Sequence, residues 1–263
     1  MRSIRKLYQF FVDIPIEAGS TLNDRFEVLR VLGTGSYGIV YLCKDLKTLE
    51  NKVIKQLRPS KRKKRREIEL FENEIKVMRS LNHPRVPAVY ETFTGNGNYF
   101  YVMSFIEGDN LEDLIFEKKK TFKEKESLLI LAELLEIVKE LHFNSIYHRD
   151  LRIPNIIMKK NHPYLIDFGL SKRVLNNELN QQKIQELKQQ DYYDLGEILL
   201  YLLYTTYSSE KKKALPWKEE LSLEKETVFL LKRLLGTKET YSNSREILVD
   251  LRAALKAGQQ DIN

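Results

Sequence analysis

Four short stretches hold the residues whose types and spacing could do chemistry. In YHRDLRIPN (147–155), Asp150 and Asn155 stand five residues apart in a loop after an apolar-striped helix. A carboxylate there can accept a proton from a hydroxyl or orient it, and an amide oxygen can ligate a hard cation. In LIDFGL (165–170), Asp167 ends an apolar run, placed to bind a second face of the same cation. In KVIK, Lys55 follows Val53 and Ile54. A mid-strand lysine makes sense if its ammonium holds phosphates, and if buried it needs a counter-charge. Glu74 is the natural partner, with Glu72 and Glu67 as alternatives that spacing alone does not separate. In LGTGSYGIVY, Gly33, Gly35 and Gly38 form G-x-G-x-x-G. Glycine lets backbone N–H groups come close to phosphate oxygens. The pattern lies between two strands, which argues against a dinucleotide-binding turn, where a helix must follow.

The elements that must position these residues are legible in outline. FEVLRVLG, IVYLCKD and NKVIKQL read as strands separated by Gly, Asp and Asn. A helix is expected over about Lys64–Leu81, with Ile68, Phe71, Ile75 and Met78 on one face. VPAVYETF and YFYVMSF read as strands joined by a turn at Gly95-Asn96-Gly97. Lys123–Phe143 reads as a largely buried helix, with Leu128, Leu131, Leu135, Val138 and Leu141 on its apolar stripe. A strand pair around Asn161-His162-Pro163 follows, then helices to about Ala254. The expected organisation is an extension (1–25), a small β-rich lobe (26–104), a larger helical lobe (105–256) and a tail (257–263), with a ligand cleft at the joint of the lobes.

With 42% hydrophobic and 31% charged residues, the chain is globular rather than disordered. The net charge of +7 favours acidic partners without choosing among nucleotides, nucleic acid and anionic lipid. Cys43 is the single cysteine, so no intrachain disulfide forms, which fits a reducing, cytoplasmic setting. No transmembrane segment and no signal peptide are expected. The first residues read as a short extension packed on the first lobe; the alternative is an interfacial anchor with Ile4, Leu7, Tyr8 and Phe11 on one helical face. The basic run KRKKRRE, Lys61–Glu67, reads as a solvated helix entry, with docking of nucleic acid or an acidic substrate on Lys61–Arg66 as the alternative. Cys43 is expected to pack on its strand, His148 to be structural with its ring bonded to backbone near the Asp-Phe-Gly turn, and Trp217 to pack in core or groove.

Taken together, in this order and near this spacing, the four stretches resemble those of eukaryotic-type (Hanks-type) protein kinases, from about Phe26 to Leu251. HPRVPAVYETF, YVMSFIEG, IPNII and LIDFGL are most similar to the short soluble YbdM-like kinases of Bacillus-type bacteria. The resemblance implies an α+β, bilobal protein-kinase-like fold, with ATP and Mg²⁺ as cofactors and a protein substrate. It implies that Gly33, Gly35 and Gly38 cover the ATP phosphates. Lys55 would hold the α- and β-phosphates, paired with Glu74, which lies ten residues before Pro84 as in the family. Val40 and Met103, the gatekeeper, would flank the adenine, and the backbone of Ser104, Phe105 and Ile106 would bond it. Asp150 would be the catalytic base, Arg152 would lie near the γ-phosphate, and Asn155 and Asp167 would bind Mg²⁺. Asp191 would be the buried acid that starts the central helix of the second lobe and anchors the catalytic loop.

The chain also departs from the family. SKRVLNNELNQQKIQELKQQ (171–190) has no Pro and no Ala-Pro-Glu motif, so it reads as a trimmed activation segment. Leu175, Leu179, Ile184 and Leu187 are roughly helix-spaced, and a partly amphipathic helix is expected there. The arginine that normally pairs with that motif is missing too: Glu239-Thr240-Tyr241 stands near its place, and Arg245 comes four residues later. Losing both partners avoids a buried unpaired charge. The only local phosphate acceptor is Ser171, so regulation by activation-loop phosphorylation is not expected. The function expected is a serine/threonine-directed protein kinase, although Arg152 does not separate serine/threonine from tyrosine. The alternatives are a trimmed kinase-fold ATPase or small-molecule kinase in an RNA- or ribosome-associated complex, and a pseudokinase scaffold. The last is disfavoured because Lys55, Asp150, Asn155 and Asp167 are all present.

Overall fold

The computed structural model describes residues 12–174, 179–208 and 215–258. The expected anchor face Ile4–Phe11, Leu175 and the last five residues lie outside the described residues. The chain divides into two compact units, with the change between Ile106 and Glu107.

The first unit is one antiparallel sheet with a single long helix. Its strands are β1 (Thr21–Leu22), β2 (Phe26–Thr34), β3 (Gly38–Asp45), β4 (Asn51–Leu57), β5 (Val89–Gly95) and β6 (Asn98–Ser104), in the order β1-β2-β3-β4-β6-β5. Alternating apolar residues of these strands form the core: Phe26, Val28, Ile39, Tyr41, Cys43, Ile54, Phe100 and Val102. Phe93 stacks on Phe100 at 4.8 Å and on Phe26 at 6.2 Å. Burying each such side chain stabilises by about 1.5–3 kcal/mol. Burial also pushes the Cys43 thiol pKa up to about 12, so it is an inert core residue. The β5–β6 turn is expected from the sequence and is observed, with Asn96 and Gly97 both at positive φ. The helix α1 (Arg65–Ser80) buries Phe71, Glu74, Ile75, Val77 and Met78.

The described part of the extension packs onto this unit. The Ile16 N–H donates to the Tyr41 hydroxyl, and β1 pairs with β2. The basic run is solvated from Lys63 to Arg66, as expected, but not at its start. The Lys61 ammonium bonds Glu67 at 2.8 Å and lies over the Tyr37 ring, while Arg62 donates to Asn96 and Asn98.

The second unit is mainly helical. Its long elements are α2 (Glu124–Phe143), α3 (Gln181–Tyr204), α5 (Lys225–Leu234) and α6 (Ser244–Ala257), with the single turn α4 (Trp217–Glu220) before α5. The apolar stripe expected on α2 is buried throughout. Gly196 lets α3 approach α5 closely: a Cβ there would sit 2.8 Å from the Leu234 Cβ. Short strands complete the unit. β9 (Ile156–Lys159) lies between β7 (Asp109–Asn110) and β10 (His162–Leu165), and β8 (Ile146–Tyr147) pairs with β11 (Lys172–Arg173). No helix among the described residues is long and apolar enough to cross a membrane.

The stretch after Asp-Phe-Gly follows its expected helical course only in part, through Ile184 and Leu187. It begins as strand β11, and its helix starts only at Gln181, capped by the Asn180 side chain, which accepts from the Lys183 N–H. That helix then runs through Asp191 without a break, 24 residues in all. Asp191 therefore does not start the central helix; it lies ten residues inside it. The added turns are held by polar contacts. The Gln185 and Gln189 side-chain amides donate to the Tyr241 carbonyl, in the loop where the missing arginine is expected. A different cluster fills that region: Arg233 lies over the Tyr241 ring and pairs with Glu246 and Asp250, both at 2.8 Å.

Candidate active site

In the first unit, β4 is an interior strand whose last five residues are all buried. Lys55 can sit there only because it is paired. Its ammonium lies 2.6 Å from the Glu74 carboxylate, and both side chains are almost fully buried. The Tyr101 hydroxyl donates to the same carboxylate oxygen at 3.0 Å. The choice left open by spacing is thus resolved: Glu72 faces solvent and Glu67 pairs with Lys61. Tyr101 carries no motif in the sequence; its place opposite Lys55 on β6 follows from the register.

The glycine-rich loop joins β2 to β3, with one internal bond from the Gly35 N–H to the Gly38 carbonyl. Gly38 is required by packing, since a Cβ would lie 2.8 Å from the Gln56 carbonyl oxygen and 3.1 Å from the Lys55 side chain. A Cβ at Gly33 would meet nothing, so the chain itself makes no steric demand there. The Arg58 guanidinium donates to the Gly35 carbonyl at 2.7 Å. Val40 lies opposite Lys55 and Met103 opposite Val53. Ser104 closes β6, with its N–H donated to the Ala88 carbonyl; Phe105 is half-buried and Ile106 buried.

In the second unit, the catalytic-loop stretch hangs from Asp191, whose carboxylate is wholly buried. It accepts the His148 N–H at 3.0 Å, the Arg149 N–H at 2.7 Å and the His142 ring N–H at 2.8 Å. Arg149 takes a left-handed backbone, φ +66°, which costs about 1–3 kcal/mol and persists only where surroundings hold it. His142 is a second anchor that the sequence pattern did not reveal. The ring of His148 feels the Ile166 backbone beside the Asp-Phe-Gly turn, where the expectation put its partner, but not at full hydrogen-bond geometry. Its nitrogens find no partner of hydrogen-bond geometry, and the ring lies edge-on to Phe168 at 4.9 Å. Burial pushes its pKa down, against the pull of Asp191, Asp167, Asp150 and the Ile166 backbone.

Asn155 joins the parts of this site. Its amide N–H donates to the Asp150 carbonyl at 3.0 Å and to the Asp150 carboxylate at 3.2 Å. Its own carbonyl accepts the Ile166 N–H at 2.9 Å, across the β9–β10 hairpin. Asp167 is the next residue, exposed, at φ +61°, and its carboxylate accepts the Gly169 N–H. Arg152 is exposed. A cavity of about 380 Å³ opens at Asp150, lined also by Arg149, Arg152, Gln190, Glu197 and Tyr201. Ser171 is buried, and its hydroxyl donates to the Phe168 carbonyl at 2.6 Å. Trp217 is half-buried and lines an adjoining groove with Phe116, Tyr201 and Tyr204, as the groove-packing expectation has it.

The donor set suits a hard cation. The bonds to Asp150 fix the Asn155 amide so that its oxygen faces away from that residue, and the carboxylate on the next strand end is exposed. Mg²⁺ keeps several waters and takes one or two protein oxygens together with substrate phosphates. This matches one amide and one carboxylate better than a closed cage. No cluster of three or more His, Cys, Asp or Glu side chains suited to a metal occurs among the described residues.

Comparison with known proteins points to the same family as the motifs. The pattern of the family described as "Protein kinase domain" matches residues 26–212. The chain is 43% identical over 255 residues to "Probable serine/threonine-protein kinase YbdM" of Bacillus subtilis (strain 168), covering 97% of this chain and 99% of that protein. It is 32% identical over 157 residues to serine/threonine-protein kinase cds1 of Schizosaccharomyces pombe, and 31% over 162 residues to serine/threonine-protein kinase D of a Synechocystis strain. Those two alignments cover 57% and 58% of this chain and only 34% and 31% of the relatives. On its motifs, its α+β architecture and these similarities, the chain belongs to the protein kinase family, in the YbdM-like, bacterial Hanks-type group.

Proposed function

We propose that the protein is an ATP- and Mg²⁺-dependent kinase that transfers the γ-phosphoryl group to a serine or threonine hydroxyl of a protein. The observation that carries this reading is Asn155, whose side chain holds Asp150 and whose backbone holds the strand end bearing Asp167. When bound, the metal and triphosphate supply the electrophilic phosphorus and neutralise charge on the leaving phosphate. Asp150 orients the incoming hydroxyl and takes its proton, from a loop held rigid by Asp191. The Asn155 amide oxygen and the Asp167 carboxylate hold the cation. Lys55, kept in place by Glu74, bonds the α- and β-phosphates, and Gly33, Gly35 and Gly38 lie over them. The open space at Gly33 supports that role, because no internal contact explains it. Arg152, exposed beside Asp150, neutralises the γ-phosphate. The adenine lies between Val40 and Met103. With the Ser104 N–H already donated to Ala88, it bonds the Ser104 carbonyl or the Phe105–Ile106 backbone.

Serine/threonine direction rests on the relatives' names. Independence from activation-loop phosphorylation rests on Ser171, the one hydroxyl of that stretch, being buried and bonded to Phe168. The lone buried Cys43 fits a reducing cytoplasm. The basic run supports nucleic-acid docking poorly. Lys61 and Arg62 are taken up by internal bonds and Arg65 pairs with Glu69.

The test is incubation of the pure protein with Mg²⁺ and γ-labelled ATP, with and without cell extract. Label on protein serine or threonine supports the proposal. Free phosphate stimulated by RNA replaces it with the ATPase reading, and bound nucleotide without turnover replaces it with the scaffold reading. Asp150→Asn is expected to abolish transfer while nucleotide still binds.

A further inference from the structure

The glycine-rich loop is fixed from outside itself. Beyond the Gly35–Gly38 bond, its posture comes from the chain just after β4. The Arg58 guanidinium donates from Nε to the Gly35 carbonyl at 2.7 Å and from one terminal nitrogen to the Thr34 carbonyl at 3.4 Å. The Arg58 backbone N–H donates to the Tyr37 carbonyl at 3.3 Å. The Lys61 ammonium lies 4.3 Å above the Tyr37 ring. Arg58 thus grips both sides of the loop's tip, three residues after Lys55 on the same run of chain.

Arg58 is itself aimed by Asp13. The other terminal nitrogen of its guanidinium donates to the Asp13 carboxylate at 3.0 Å. The same carboxylate accepts the Ser60 N–H and the Ser60 hydroxyl, each at 2.8 Å. Only 2% of the Asp13 side chain is exposed, so this is a buried, triply bonded acid rather than a surface charge. Hydrogen bonds to a charged group are stronger than neutral ones, and a planar guanidinium loses its direction when one anchor is removed. No motif marks Asp13; it lies in the segment before the kinase resemblance begins.

We infer that Asp13 is a positioning residue for the glycine-rich loop, acting through Arg58, so that the N-terminal segment sets nucleotide affinity. This rests on the reading that the loop covers the phosphates. An N–H group serves a phosphate best when it is aimed before the ligand arrives, and the Gly35 carbonyl that Arg58 holds shares its peptide plane with the Ser36 N–H, while the Gly35 N–H is taken by Gly38. Loss of the Asp13–Arg58 bond leaves Lys55, Glu74, Asp150 and Asp167 untouched. The cost should therefore fall on ATP binding and spare the chemical step.

The experiment compares wild type with Asp13→Ala, Arg58→Ala, their double variant and Arg58→Lys. KM for ATP, kcat, melting temperature and amide hydrogen exchange of residues 33–38 in the nucleotide-free protein are measured. Each single change is expected to raise KM for ATP about 3–10-fold with kcat within twofold, and to speed loop exchange at least as much. The double variant should be no worse than the worse single, because both residues act in one chain of contacts. Arg58→Lys keeps the charge against Asp13 but cannot reach two carbonyls. It should raise KM with little loss of melting temperature, which keeps the test valid should Asp13→Ala fold poorly. Lower melting temperature with KM and loop exchange unchanged would overturn the inference and leave Asp13 a structural residue. A wild-type protein that binds no adenine nucleotide overturns the phosphate-cover reading instead. The exchange arm then still decides the clamp, and unchanged protection at residues 33–38 sinks it.

Discussion

The catalytic loop and the glycine-rich loop meet different mechanical demands. The first hangs by two backbone N–H groups from Asp191, a wholly buried carboxylate on a 24-residue helix, with His142 bracing the same acid. The second has one internal bond, takes one backbone bond from Arg58, and is otherwise gripped by the Arg58 side chain, which is partly exposed although the acid that aims it is buried. On the proposed function the first carries the group that takes a proton, which must stay within a few tenths of an ångström of its mark, and the second covers a nucleotide, so it has to open on every turnover. Buried, charge-assisted anchoring suits the first task. Side-chain contacts at the edge of solvent suit the second, because each can break at modest cost.

The comparison breaks most readily at Asp191. Asp191→Ala leaves the His148 and Arg149 N–H groups buried without their acceptor, at about 1–3 kcal/mol each. Urea unfolding should show a loss of several kcal/mol, and transfer should fall by more than 100-fold. Stability and rate near wild type would show that the loop does not depend on this acid. The next effect is at the buried pair. Glu74→Leu strands the Lys55 charge and should cost about 3–5 kcal/mol. Adding Lys55→Met removes that charge, so the double variant should regain much of the stability but none of the activity. Recovery of activity as well would show that Lys55 is structural only.

The sequence carried some of this well and some not at all. β4 and α1 are legible because hydrophobic periodicity is a burial signal and both elements bury a face. Periodicity alone did not separate Glu74 from Glu67 and Glu72, since three glutamates on one helix differ only in which side they turn inward; the family's spacing to Pro84 favoured it, and the structure buries it. Asn180 is a helix-start signal that could have placed the first turn of α3. That a helix lies beyond it was legible from Ile184 and Leu187, but how it is held was not, because Gln185 and Gln189 bond it to Tyr241 through their amides, which apolar spacing does not report. Asp13 and Arg58 were illegible for a plainer reason: they lie 45 residues apart and each looks like an ordinary surface charge. Nothing local distinguishes a buried acid from a solvated one.

A smaller effect sharpens the view that the second unit tolerates strain where it holds the loop. Asp194 accepts the Leu151 N–H and a Gln190 amide, and burial raises its pKa to about 6. A carboxyl group whose folded pKa lies above its unfolded value stabilises fully below the unfolded value, and that contribution is lost as pH rises through about 6. Asp194→Asn carries no charge at any pH. Its stability relative to wild type should therefore improve between pH 4 and 7 and stay level above that. Melting curves of both proteins across that range check it, and a constant difference would mean that Asp194 is ionised throughout.

The smallest expected effect is at Ser171, and it tests whether the anchoring of the second unit replaces a phosphate switch. In this chain Arg149 donates to the Leu170 carbonyl, so the guanidinium that a phosphate would attract is already turned to the backbone after Asp-Phe-Gly. The Ser171 hydroxyl is buried against the Phe168 carbonyl, where a phosphoryl group could not be added without first opening the turn. Strand β11 then pairs with β8 and holds the following residues to the catalytic-loop side of the unit. Ser171→Ala removes one buried hydrogen bond, worth about 0.5–1.5 kcal/mol, and should lower the melting temperature slightly. Transfer to a protein substrate should stay within twofold of wild type, and mass spectrometry of the active protein should find no phosphate on Ser171. A collapse of activity in the alanine variant, with phosphate mapped to Ser171 in the wild type, would mean that the turn opens in solution and that the anchored loop is the resting state of a switch.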